Sequence, residues 1–100
     1  EESYKHIKPY LEDEEILSAM RWHTTGKENM SKLDKVIYMA DMIEPNRNFP
    51  GVDELRRETF NDLDNGVLQG LNHTIQYLLN RGVPIDINSI KARNYLLLHK

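Results

Sequence analysis

The sequence contains no cysteine among its 100 residues, which excludes a disulfide framework, thiolate metal sites and a cysteine nucleophile. Histidine and carboxylate are the strong metal ligands that remain. No apolar run approaches the roughly 20 residues a membrane helix needs, and mean hydropathy is −0.66. Together these set the expectation of a soluble chain in a reducing, cytoplasmic compartment. Positive charge is also scarce: Lys+Arg 13 against Asp+Glu 16 leaves a net charge of −3. That balance removes the basic field that holds nucleic acid through counterion release, so a phosphate ligand would need local help from a metal or a few cations. The chain has no initiator methionine, nothing at its start resembles a secretory leader, and it opens in the charged stretch Glu1-Glu2-Ser3-Tyr4-Lys5. It reads as the interior of something longer.

What is present is helical pattern, with no stretch of the strict alternation that a half-buried strand requires. The expected fold class is all-α, with three or four helices and their connections accounting for the chain. A first helix runs from about Glu12 to Trp22, acidic in its opening turn where the macrodipole favours carboxylates. Gly26 stands where a left-handed residue commonly closes a helix, so His23-Thr24-Thr25-Gly26 is a helix exit. Ser31-Lys32-Leu33-Asp34 matches the capping box, and the helix it opens must stop near Glu44, ahead of Pro45. Leu33, Val36, Ile37, Ala40 and Ile43 have the spacing of its buried face, widened by Tyr38, Met39 and Met42. After a loop with a Pro50-Gly51 turn, a short helix covers about Asp53 to Phe60. Asp62 or Asp64 caps the next, with the stripe Val67, Leu68, Leu71, Ile75, Leu78 and Leu79, ending at Gly82. Asp86 or Asn88 caps a last helix with Ile90, Asn94, Leu97 and Leu98 inward.

Asp41 stands out, because an ionised carboxylate in apolar surroundings costs several kcal/mol unless it is paired or holds a metal. It lies seven residues, nearly two turns, after Asp34, with Tyr38 between. The plain alternative puts Asp41 at the helix margin, paired with Arg47 or Lys35. His23 leaves the first helix beside two hydroxyls and a glycine, where it can face a cleft; equally, it is a C-terminal histidine favoured by the helix dipole. Lys27 and Arg47 sit in the loops after His23 and Asp41, where cations serving an anionic ligand could be displayed, and Thr24, Thr25 and Gly26 could add neutral donors. Each of these has the simpler reading of a solvated loop residue. His6, His73 and His99 read as structural or exposed, and Met20, Met30, Met39 and Met42 as core filling.

Two strings change these odds together: Arg21-Trp22-His23-Thr24-Thr25-Gly26, and Tyr38-Met39-Ala40-Asp41-Met42-Ile43-Glu44-Pro45-Asn46-Arg47 continuing into Asn48-Phe49-Pro50-Gly51-Val52. They closely resemble the bacterial YqeK-type HD-domain hydrolases, the symmetrical bis(5′-nucleosyl)-tetraphosphatases. Leu63-Asp64 and the closing Ala92-Arg93-Asn94-Tyr95-Leu96-Leu97 look like the same family's C-terminal half. The resemblance implies a helical HD fold with a His/Asp metal centre of iron, another transition metal or magnesium, and a homodimer. It matches His23 and Asp41 to metal ligands and Thr24, Thr25, Gly26 and Arg47 to motif positions near the site; reading these four, with the loop cation Lys27, as contacts to a nucleotide substrate is an inference from their chemistry. The defining His-Asp dipeptide is absent from the sequence, as are the family's histidines expected before His23. Residues 1–100 are therefore expected to be the C-terminal portion of a single HD domain, with the upstream half as its partner and little catalysis on its own. The implied reaction is hydrolysis of dinucleoside polyphosphates, diadenosine tetraphosphate to two ADP. The alternatives are an HD-type phosphohydrolase acting on another nucleotide or phosphomonoester, and a non-catalytic helical binding or dimerisation module.

Overall fold

Three helices in this protein begin at a side chain, that of Ser31, Asp62 or Asp86, which accepts an orphaned backbone N–H. The structure, a computed structural model, describes residues 14–99. Among them are five helices and no strand: α1 Glu14–Trp22, α2 Lys32–Met42, α3 Val52–Asn61, α4 Leu63–Arg81 and α5 Ile87–Leu98. The expected start at Glu12 and His6 lie outside the described residues. Gly26 closes the exit of α1, with φ +74° and its N–H donating to the Trp22 carbonyl at 2.8 Å. At the start of α2 both halves of the capping box are formed, Asp34 N–H to Ser31 Oγ at 3.0 Å and Ser31 N–H to the Asp34 carboxylate at 2.9 Å. This satisfies two otherwise orphaned donors reciprocally.

The five segments named from sequence all form helices among the described residues, one more than the count of three or four, and the short one after Pro50-Gly51 is a full helix separated from α4 by one residue. Asp62 serves both ends: its N–H donates to the Glu58 carbonyl, and its carboxylate accepts from the Asn65 N–H at 3.3 Å. Asp62 rather than Asp64 is thus the cap of α4, and Asp86 rather than Asn88 is that of α5, accepting the Asn88 N–H at 2.8 Å.

α4 is the central element, packing against α2, α3 and α5, while α1 packs on α2. The core joins Met30, Tyr38, Met39, Leu55, Val67, Leu71 and Ala92, with Met42, Phe49, Leu63 and Leu96 against it. Two expected faces are rotated. On α2 the buried residues are Asp34, Tyr38 and Met39, whereas Val36 and Ala40 are exposed. The cause lies on α4, where Gly70 leaves room for Met39: a Cβ there would stand 3.2 Å from the Met39 sulfur. Docking Met39 on Gly70 turns Val36 and Ala40, each two residues or ~200° from Tyr38, to the opposite side. On α5 the inward residues are Ser89 and Ala92, while Asn94, Leu97 and Leu98 are exposed. Ala92 packs on the α1 exit, its Cβ 3.4 Å from where a Gly26 Cβ would stand, so a small residue faces inward where a large one was expected. Leu79 is also exposed at 57%, since only the first half of α4 lies beneath its neighbours.

Candidate functional site

The exit of α1 positions His23 through its own backbone. His23 Nδ1 lies 2.6 Å from the Met20 carbonyl oxygen. A carbonyl only accepts, so this contact requires the proton on Nδ1 and leaves Nε2 of the neutral ring with a free lone pair. A backbone carbonyl that fixes the ring and its tautomer in this way is the usual support of a metal-binding histidine. The next residues are tied down for structural ends. Thr25 Oγ1 donates to the Gly26 carbonyl at 3.0 Å, and the Thr25 carbonyl accepts from Ser89 Oγ at 2.8 Å, fastening the exit to α5. Gly26 spends its N–H on Trp22 and is buried, whereas Thr24 is exposed.

The two carboxylates of α2 differ in burial. Asp34 is the buried one, 3% exposed, and takes the Ser31 N–H, the Ser18 hydroxyl of α1 at 3.4 Å and Lys27 Nζ at 3.9 Å. Lys27 therefore leans on Asp34. Asp41 is not in apolar surroundings: its side chain is 48% exposed and meets Arg47 Nη2 at 3.1 Å. The marginal pairing considered from sequence is what forms, with Arg47 as the partner; Lys35 instead pairs with Asp64 of α4 at 2.6 Å. His23 and Asp41 make no hydrogen bond with each other. Among the described residues no three of His, Asp and Glu converge in a way that could hold a metal ion.

Tyr38, one turn before Asp41, is 2% exposed and hydrogen-bonded to Thr74. Its hydroxyl pKa is pushed up to about 12, chiefly by burial, with the Asp41 charge adding and the Thr74 contact opposing. His73 stacks on Phe49 with ring centroids 4.4 Å apart, and His99 stacks on Tyr95 at 3.9 Å. Two clefts of about 360 Å³ flank the region. One runs between Lys35, Asp64, Tyr95 and His99, the other between Phe49, Glu54, Glu58 and His73; neither is lined by His23 or Asp41.

Sequence reading missed Arg56 of α3 altogether. Its guanidinium donates to three carbonyls of the segment that follows Asp41: Ile43 at 3.1 Å, Glu44 at 3.0 Å and Arg47 at 2.8 Å. It also meets Asp53 at 3.1 Å. Partners that are backbone carbonyls leave no motif. The one available signal was that α2 has no basic residue in its last turn, so the orphaned carbonyls there need a donor from elsewhere.

Fold and site define a class before a family: a helical bundle of the HD-hydrolase type, with a histidine at one helix exit and an aspartate near the end of the next helix. A solved structure of a predicted HD superfamily hydrolase involved in NAD metabolism from Clostridium acetobutylicum superposes with a TM-score of 0.92 at 43% identity, covering 97% of this chain and 52% of that one. Symmetrical bis(5′-nucleosyl)-tetraphosphatases are similar in sequence. That of Halalkalibacterium halodurans is 46% identical over 90 residues, 90% of this chain and 48% of the relative. That of Bacillus subtilis is 42% identical over 87 residues, 87% of this chain and 47% of the relative. No family model matches the chain. The chain is similar to the C-terminal half of the symmetrical bis(5′-nucleosyl)-tetraphosphatases and shares its fold with an HD superfamily hydrolase. It spans about half the length of the curated relatives it matches.

Proposed function

We propose that this chain provides the C-terminal half of a metal-dependent hydrolase that splits dinucleoside polyphosphates, diadenosine tetraphosphate giving two ADP. The observation that carries the reading is His23, whose Nδ1 lies on the Met20 carbonyl and whose Nε2 makes no hydrogen bond among the described residues. His23 and Asp41 are the metal ligands in this reading, with the remaining ligands coming from the upstream half of the same domain. The donor set of imidazole nitrogen and carboxylate oxygen suits a divalent ion, iron among them. Such an ion, when bound, supplies polarisation of a phosphoryl oxygen and acidification of water.

The chain's own residues do the rest. Arg47 holds Asp41 in place when no cation is there, and its guanidinium, about half exposed, is accessible to phosphate oxygens. Lys27, a third exposed, adds a second positive charge beside the His23 exit. These local cations matter because a net charge of −3 cannot offset a tetraphosphate globally. Among the described residues no helix is long and apolar enough to cross a membrane, and a cytoplasmic setting belongs to the same reading.

The test uses the natural full-length protein. His23→Ala and Asp41→Ala should each lower bound transition metal, measured by elemental analysis, and cut ADP release from diadenosine tetraphosphate by at least about tenfold to a hundredfold. An Asp41→Ala protein with unchanged metal and turnover would sink the assignment. Its ion pair with Arg47 would then be structural, as in the binding-module reading. Faster turnover of mononucleotides than of dinucleoside polyphosphates would move the substrate to another phosphate ester.

A further inference from the structure

We infer that Arg56 is a positioning residue for the site, holding Asp41 and Arg47 in register from a helix that contributes neither. The end of α2 is where this matters. Ile43 is its C-cap and Glu44 follows, so their carbonyls point out of the helix without intrahelical partners. Pro45 next in line has no N–H to offer, and the last turn of α2 carries no cation of its own. Arg56 fills that role from α3, with Nε on Ile43 and Nη2 on Glu44.

The same Nη2 reaches the Arg47 carbonyl at 2.8 Å, while the Arg47 N–H donates to the Glu44 carbonyl at 2.9 Å. One guanidinium therefore closes the whole turn from residue 43 to residue 47. Asp53 braces its other edge at 3.1 Å, and the side chain is only 26% exposed. Arg47 is thus held at its backbone by Arg56 and at its side chain by Asp41. The contact set depends on a planar fork with several fixed donors; a lysine, with one nitrogen, cannot span Ile43, Glu44 and Arg47 together.

The functional part of this inference rests on Asp41 and Arg47 acting at a polyphosphate, as proposed above. The experiment separates the two. In the full-length protein, Arg56→Ala and Arg56→Lys are compared with wild type for hydrogen exchange at the Arg47 amide and for KM and kcat on diadenosine tetraphosphate, with Asp41→Asn as the reference variant. Both Arg56 variants should speed exchange at Arg47 and raise KM by roughly tenfold or more, the loss of charge-assisted hydrogen bonds setting that scale. Lysine should not substitute, and millimolar guanidinium should restore part of the KM of Arg56→Ala. A structural role alone would lower Tm while leaving the KM of the folded protein unchanged and insensitive to guanidinium. Unchanged exchange at Arg47 in Arg56→Lys, which keeps the charge and the stem if the alanine variant does not fold, overturns the inference. Faster exchange without a change in KM overturns its functional part if Asp41→Asn is impaired. If Asp41→Asn is equally unimpaired, what fails is the reading of the site.

Discussion

Replacing Gly66 by alanine sets two effects of known size against each other. Gly66 lies in the first turn and a half of α4 and is buried. On helix propensity alone, alanine should stabilise by about 1 kcal/mol. The new Cβ, however, would stand 2.5 Å from Thr59 Oγ1, 2.6 Å from Thr59 Cα and 2.8 Å from Thr59 Cβ. Carbon atoms prefer separations of about 3.5–4.0 Å, so α3 must retreat by roughly 1 Å at the crossing. Rotating Thr59 does not solve this. Its hydroxyl is bonded to the Leu55 carbonyl at 2.7 Å, a contact whose loss costs about 1 kcal/mol, and its Cα is backbone. Overpacking against backbone belongs at the upper end of the usual range of about 1–3 kcal/mol, which leaves a net loss of about 2 kcal/mol after the propensity gain. For a domain of this size that corresponds to a Tm lower by about 10 °C. Urea unfolding followed by far-UV circular dichroism reads the loss as a lower midpoint at constant slope. Adding Thr59→Ala should recover less than half of it, because the nearby Cα remains. A Gly66→Ala protein as stable as wild type would refute the close crossing of α3 and α4, and with it the placing of Arg56 against the α2 turn.

Further outcomes follow from buried polar groups. Tyr38, whose pKa rises from the ordinary tyrosine value of 10.0 to about 12, keeps its proton more tightly folded than unfolded. The folded chain thus binds more protons between pH 10 and pH 12, and stability is full below pH 10 and falls as pH rises through that window, by up to roughly 3 kcal/mol. Alkaline absorbance titration should resolve one late tyrosine that Tyr38→Phe removes; a titration with every tyrosine complete by pH 11 would contradict its burial. Asp34→Ala strips acceptors from the Ser31 N–H and the Ser18 hydroxyl, for an expected loss of about 1–3 kcal/mol in chemical denaturation. Asp34→Asn keeps an acceptor oxygen and should lose less, and equal losses in the two variants would count against the capping geometry.

Local chemistry was readable where both partners lie within a few residues. The Ser31 and Asp34 box, the glycine exit at Gly26 and the stop before Pro45 all came through, because a cap depends on neighbours three or four positions away. Helix faces were readable on α4, whose Val67, Leu68, Leu71 and Ile75 are all buried, since neighbours surround the central helix. They were not readable on α2 or α5. Which side of α2 turns inward is decided by Gly70, more than thirty residues along, and that of α5 by the tight approach of Ala92 to Gly26. Periodicity records that a face exists, but not which rotation lets two backbones come closest. The same limit explains why sequence left Asp41 open between apolar surroundings and the helix margin: pattern shows an acid among large apolar residues, while the acid that is buried, Asp34, is the one that brings its own hydrogen bonds.

The contrast between Asp34 and Asp41 bears on which carboxylate can do chemistry. Asp34 sits at 3% exposure with a backbone N–H, a hydroxyl and an ammonium around it. Recruiting it to a cation would break the start of α2 and leave buried donors without partners, a cost of about 1–3 kcal/mol for each. Asp41 faces no such penalty. Its ion pair with Arg47 is about half exposed on both sides, and such a pair is worth at most about 1 kcal/mol, so little opposes its separation in the proposed metal site. Displaced from Asp41, Arg47 keeps its charge at the same place, because its backbone is still clasped by Arg56. In the proposed function the pair in the α2 turn separates, the carboxylate serving a metal and the guanidinium phosphate, while the carboxylate two turns earlier keeps the helix that carries them in position.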